Sequence, residues 1–193
     1  MNEAGIIQRL QQRDEAAFSE LVRLWKDNIY NTALGIVQQE QDAADITQDV
    51  FLLAWRSIEG FKGNSGIGTW LYRITVNRSR DHLRKLERSR RFAWVRSAWG
   101  TDGNPETDAP DFIHPGVQLE KKQEAAILFA AIRKLPAQQR IAYSLQKVEG
   151  LPVSEIAAIL EVSERAVESL LQRAKNNLQK SLTIYYSNHR HDQ

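Results

Sequence analysis

Apolar residues recur at three- and four-residue spacing along almost the whole chain, a period that fits helices and excludes a sheet. Phe18, Leu21, Val22, Trp25, Ile29 and Ala33 form one such stripe. Ala43, Ile46, Val50, Leu53 and Ala54 form a second, and Trp70, Leu71, Ile74 and Leu83 a third. Each reads as the buried face of a helix. No stretch alternates with a period of two between turn signals, so no strand is expected and the fold class is all-α. The pattern breaks between Gly100 and Gly116, where Pro105, Pro110 and Pro115 stand among Asp102, Glu106, Asp108 and Asp111. Such a segment cannot form a packed helix, and it divides the chain into two small helical domains. The expected limits are 1–91 for the first, 92–118 for an acidic linker, and 119–193 for the second with a short polar tail.

In the second domain a helix is expected from Leu119 to about Lys134, ending before Pro136, and another from there to about Val148. Gly150-Leu151-Pro152 breaks the run. A short helix from about Val153 to Leu160 follows, then Glu161-Val162, then Ser163, whose hydroxyl can cap a last helix that buries Val167, Leu170, Leu171, Ala174 and Leu178. A helix, a tight turn and a capped second helix make a helix-turn-helix, whose second helix can enter a major groove. Glu161 stands where such a turn needs a left-handed backbone, at a cost of about 1 kcal/mol for a residue with a Cβ.

Charge separates along the chain. Its 26 Lys+Arg and 24 Asp+Glu leave a formal net charge of +2. Residues 38–59 carry −4, residues 71–96 carry +7, residues 97–120 carry −5, and residues 165–190 carry +4. Alternating blocks point to separate surfaces for separate partners, and two basic blocks suit a polyanion. Cysteine is absent, which excludes disulfides, thiolate metal sites and thiol catalysis. His82, His114, His189 and His191 are scattered, so no metal and no cofactor is expected. No run reaches the roughly 18–20 apolar residues of a membrane span, and no secretory signal is visible at the N-terminus. A cytoplasmic, non-enzymatic protein is the expectation.

Three segments carry recognition chemistry. On the last helix Arg165, Glu168, Ser169, Gln172, Arg173 and Lys175 point away from the apolar stripe. Arg and Gln can bond guanine and adenine edges bidentately, and Glu can accept from cytosine. A surface helix without a ligand would also be polar here. In the first domain Arg73, Arg78, Arg80, Arg84 and Lys85 interleave with Trp70, Tyr72 and Asn77 behind the Gly-rich loop Phe61–Gly68. Basic groups track phosphates, and aromatics with a polar loop can hold unstacked bases; packing is the alternative role for the aromatics. On the preceding acidic helix Asp45, Gln48 and Asp49 accompany Phe51 and Trp55, two aromatics expected on one exposed face that would dock onto a protein.

Taken together, DAADITQDVFLLAW (42–55), FKGNSGIGTWLYRITVNRSRDHLRK (61–85) and LPAQQRIAYSLQKVEGLPVSEIAAILEVSERAVESLLQRAKNNL (135–178) resemble the extracytoplasmic-function (ECF) sigma factors, bacterial initiation subunits of RNA polymerase. The resemblance implies a region 2-like domain, a region 4-like domain and roles for the matching residues. Asp45, Gln48, Asp49, Phe51 and Trp55 would bind the core polymerase at its beta-prime subunit. Asn64 and Ser65 would capture a flipped base of the minus-ten element, and Trp70, Arg73, Asn77, Arg80 and Arg84 would melt and bind that element. Glu168, Ser169, Gln172 and Arg173 would read the minus-thirty-five element. Core polymerase with its beta and beta-prime subunits, promoter DNA and an anti-sigma factor are the implied partners.

The chain departs from the family's pattern at Gly66, Ile67 and Gly68, where larger aromatic or basic residues are frequent. Pro152 replaces the usual Ser or Thr cap, and Glu168 and Gln146 stand where many members carry Arg. The promoter sequence therefore does not follow from the resemblance. A helix-turn-helix regulator acting without polymerase, or a helical adaptor, would account for parts of the same sequence.

Overall fold

A computed structural model describes residues 3–98 and 127–189, which are helical almost throughout and contain no strand. The first unit comprises α1 (Glu3–Gln11), α2 (Glu15–Val37), α3 (Glu40–Ser57), a single 3-10 turn (Ile58–Gly60) and α4 (Ile67–Ala98). The second comprises α5 (127–133), α6 (Ala137–Lys147), α7 (Val153–Leu160) and α8 (Glu164–His189). α4 continues past position 91, where the sequence places the end of the first domain, because no proline or glycine interrupts it before Gly100. Residues 99–126, which hold the rest of the expected linker and the expected helix start at Leu119, lie outside the described residues.

The helices form where their sequences supply caps and stripes. Asp14 opens α2, its Oδ1 accepting from the Ala16 and Ala17 amides at 2.8 and 3.1 Å. The Arg9 guanidinium donates to Asp14 Oδ2 at 2.7 Å, and together with these amides it holds the carboxyl below its ordinary range. Leu21, Ile29, Ala33 and Ile36 of α2 then bury against Ala43, Ile46, Val50 and Ala54 of α3 and Leu71 and Val76 of α4. Ser163 caps α8, its Oγ accepting from the Ala166 amide at 3.2 Å. Glu161 adopts the left-handed backbone the turn demands, with φ 58° and ψ 44°.

The helix-turn-helix is α7, residues 161–163 and α8, seated on α6 through Ile141, Leu145, Ile156, Leu160 and Val167. α6 packs on α2 and α7 packs on α4, so these buried side chains join those of the first unit in one continuous cluster.

Candidate nucleic-acid interface

Trp70, Arg73, Asn77, Arg80 and Arg84 fall three and four residues apart, which places all five on one face of α4. Trp70 is half-buried and leans on Phe61, with ring centroids 5.0 Å apart, so its packing and its exposed edge coexist. Asn77 and Arg84 are exposed. Arg84 pairs with Asp81 at 3.3 Å, a surface contact worth little. Burial and the neighbouring Arg84 charge lower the pKa of the Arg80 guanidinium from its ordinary value.

The loop before α4 is tied down by α1. Gln11 of α1 donates its Nε2 to the carbonyls of Phe61 and Ile58 at 3.0 and 3.5 Å. Between α1 and the loop lies a cleft of about 600 Å³ lined by Gln8, Gln11, Phe61, Lys62, Gly63 and Ser65. Of the two residues expected to capture a base, Ser65 lines this cleft, whereas Asn64 is exposed outside its lining. Gly63 takes φ +69°, which glycine adopts without strain. The expected loop ends sooner than Gly68: Ile67 and Gly68 are buried in the first turn of α4.

On α3 the structure corrects the expected aromatic face. Asp45, Gln48 and Asp49 are exposed, but Phe51 is only 6% exposed and belongs to the core stripe with Thr47, Val50 and Ala54. Trp55 is half-buried, packed on Phe18 at 4.7 Å with the Arg13 guanidinium 5.3 Å from its ring centre. The apolar residue that completes the exposed stripe is Leu52, 52% exposed and seven residues from Asp45. Counting three and four residues onward from Gln48 or Asp49, rather than looking for aromatics, would have found it.

Glu168, Ser169, Gln172 and Arg173 are exposed together on the first half of α8, opposite buried Val167 and Ala174. Gln172 donates to Asn176 at 3.0 Å across one turn, which orients its amide along the face. Among the described residues Arg173 has no partner that would have to be given up. If it meets a base edge, Arg173→Ala should weaken binding to duplex promoter DNA by about 1–3 kcal/mol, measured by fluorescence anisotropy with the polymerase holoenzyme. Unchanged binding would remove it from the interface.

The two faces are not equally open. Arg73 donates Nε and Nη2 to the carbonyl of Ala158 in α7 at 3.1 and 2.8 Å, with its Nη1 3.8 Å from the Glu161 carboxylate. Arg80 donates to Gln138 of α6 at 3.0 Å. Among the described residues no group of three or more His, Cys, Asp and Glu could hold a metal ion, and no helix is long and apolar enough to cross a membrane.

Family models for sigma-70 region 2 and sigma-70 region 4 match residues 21–89 and 119–178. The chain is 29% identical over 187 residues to the RNA polymerase sigma-H factor of Pseudomonas aeruginosa, covering 92% of each chain. It is 28% identical over 182 residues to the ECF RNA polymerase sigma-E factor of Haemophilus influenzae, covering 94% of this chain and 96% of the relative. Its fold is similar to that of CnrH solved with the cytosolic domain of CnrY, with a TM-score of 0.69, 23% identity, and coverage of 94% and 97%. The sigma factor RpoE of Bartonella quintana, solved with the anti-sigma factor NepR, matches with a TM-score of 0.60 and 22% identity, covering 86% and 97%. A region 2 unit with a basic, aromatic-edged helix, followed by a region 4 unit whose capped helix-turn-helix is exposed, places the chain among the ECF sigma factors, non-enzymatic subunits that direct RNA polymerase to promoters to initiate transcription.

Proposed function

We propose that the chain divides this task between its two units, α1–α4 and α5–α8. The first unit binds the beta-prime subunit through Asp45, Gln48, Asp49 and Leu52, with Trp55 at the border of that surface. The same unit melts and holds the minus-ten element with Trp70, Arg73, Asn77, Arg80 and Arg84, and takes an unpaired base beside Ser65. Phe51 supports that surface from within the core. The second unit reads the minus-thirty-five element with Glu168, Ser169, Gln172 and Arg173. The observation that carries this division is the coexistence of an acidic exposed stripe and an aromatic-basic stripe on adjacent helices of one unit. A regulator that only bound duplex DNA would need neither.

Strand opening on this reading is driven by binding, since unstacking costs a few kcal/mol that stacking and phosphate contacts offset. The protein works in the bacterial cytoplasm, and an anti-sigma factor is its regulatory partner, as the solved complexes of its structural relatives suggest. Transcription in vitro with core polymerase on fragmented genomic DNA tests the reading, with transcript 5′ ends sequenced. The expected result is a set of starts sharing two sequence blocks upstream, separated by a fixed spacing. Starts no different from those of core polymerase alone would sink it.

A further inference from the structure

The cleft beside Ser65 has a second wall, supplied by α1. Ala4, Ile7, Gln8 and Gln11 fall three and four residues apart, so they share one face of the helix, and they line the cleft together with Phe61, Lys62 and Ser65. Leu10, only 1% exposed, anchors α1 in the core, and Ile6 and Ile7 pack against the same cluster.

Two side chains fix this wall to the loop. Gln11 spends its Nε2 on the carbonyls of Phe61 and Ile58. Arg13, just past the end of α1, donates Nε to Glu59 Oε1 at 2.8 Å and brings Nη2 within 2.7 Å of the same oxygen. Its Nη1 donates to the Trp55 carbonyl. Arg13 holds φ 64°, a left-handed backbone that disfavours a side chain, so its contacts and not its own preference keep it there. All of these acceptors lie between Trp55 and Phe61, the stretch that leads into the loop. Wall and loop are therefore braced at one fixed separation.

The two glutamines offer the cleft different chemistry. With its nitrogen given to the loop, Gln11 has only an acceptor oxygen left. Gln8 is exposed, and among the described residues its carboxamide has no hydrogen-bond partner. A free carboxamide presents a donor and an acceptor side by side, the pattern that bonds a base edge at two points. A glutamine on an open helix surface would meet water alone. This one meets a cleft of about 600 Å³, within the size range of small-ligand sites, whose lining also holds the Ser65 hydroxyl and the Lys62 ammonium. The ammonium suits a phosphate flanking the base.

We propose that Gln8 is a specificity-determining residue: its carboxamide reads the edge of the unpaired base that enters beside Ser65, and Gln11 is the positioning residue that holds the two walls at reading distance. The inference rests on the assignment of this cleft to an unpaired base of the minus-ten element.

The test uses a promoter found by mapping transcript starts, with the upstream block nearer the start randomised. The full chain and core polymerase transcribe the library, and sequencing gives the preference for each base at each position. Gln8→Ala should reduce the preference at a single position by at least roughly fivefold, the low end of what a two-point contact to a base contributes, and leave the other positions unchanged. Gln8→Glu should reorder the bases at that position, because a carboxylate cannot donate to the acceptor that the amide met. Gln11→Met, which removes the donors at similar length, should lower the same preference with the rank order of bases kept. Melting temperatures of the Gln8 variants should match that of the unsubstituted chain, since the side chain is exposed. Preferences that Gln8→Ala leaves intact, or weakens evenly across the block, would overturn the proposal, as would an unchanged rank order in Gln8→Glu. No effect of Gln11→Met, or an even one across the block, would refute the positioning role. If the unsubstituted chain itself shows no preference in the block, the functional assignment fails; a preference indifferent to Gln8 sinks only the reading role of α1.

Discussion

Gly68→Ala should destabilise the protein by about 1–3 kcal/mol and lower its melting temperature by several degrees. Helix propensity alone gives the opposite sign, since alanine inside a helix gains about 1 kcal/mol over glycine. Packing decides. A Cβ on Gly68 would sit 2.2 Å from Trp25 Cη2 and within 3.0 Å of Cζ2 and Cζ3, a distance at which something must move. The indole is not a free end that can swing aside, because it packs edge-on to Tyr72 at 5.8 Å and against the core. Relief must come from shifting the first turn of α4, which carries the loop and Trp70 with it. Thermal denaturation of Gly68→Ala in the presence and absence of Trp25→Leu measures the coupling, and the cost should largely disappear in the smaller background. A raised melting temperature in the single variant would show that propensity outweighs the overlap.

That glycine also marks what the sequence could and could not reveal. Helix positions followed from stripes of period 3.6, and the cap at Ser163 and the left-handed Glu161 followed from local turn chemistry, because both depend on neighbours in sequence. Exposure of Glu168, Ser169, Gln172 and Arg173 followed from the same stripe. Gly68 read as loop freedom because its reason lies 43 positions away, in the Trp25 ring that covers it. Phe51 read as exposed because an aromatic drew more weight than its place beside Val50 and Ala54, while Leu52 carried no such label. The grip of Gln11 on the loop carbonyls, and the sealing of Arg73 and Arg80 by the second unit, arise between residues about 50 or more apart and have no local signature.

Reversing the charge of the α3 stripe with Asp45→Arg and Asp49→Arg should lower affinity for core polymerase by about 100-fold or more, because opposed like charges at a protein interface cost several kcal/mol. Both carboxylates are exposed, and among the described residues Asp45 has only the Gln41 amide as a partner, at 3.1 Å. The folded chain should therefore lose no more than about 0.5 kcal/mol of stability. Leu52 separates the electrostatic part from the apolar part. A large apolar side chain left 52% exposed amid acids has the composition of an interface anchor, so Leu52→Ala should weaken association by more than about 1 kcal/mol without altering its dependence on salt. The double charge reversal, by contrast, should flatten the salt dependence, since the attraction that salt screens would be gone. Sedimentation or co-purification with core polymerase across a salt series distinguishes the two effects. Unimpaired association of the reversed variant, with its melting temperature unchanged, would mean that α3 does not face the polymerase. The surface for the core enzyme would then have to be sought elsewhere, leaving the exposed acids and Leu52 without a partner.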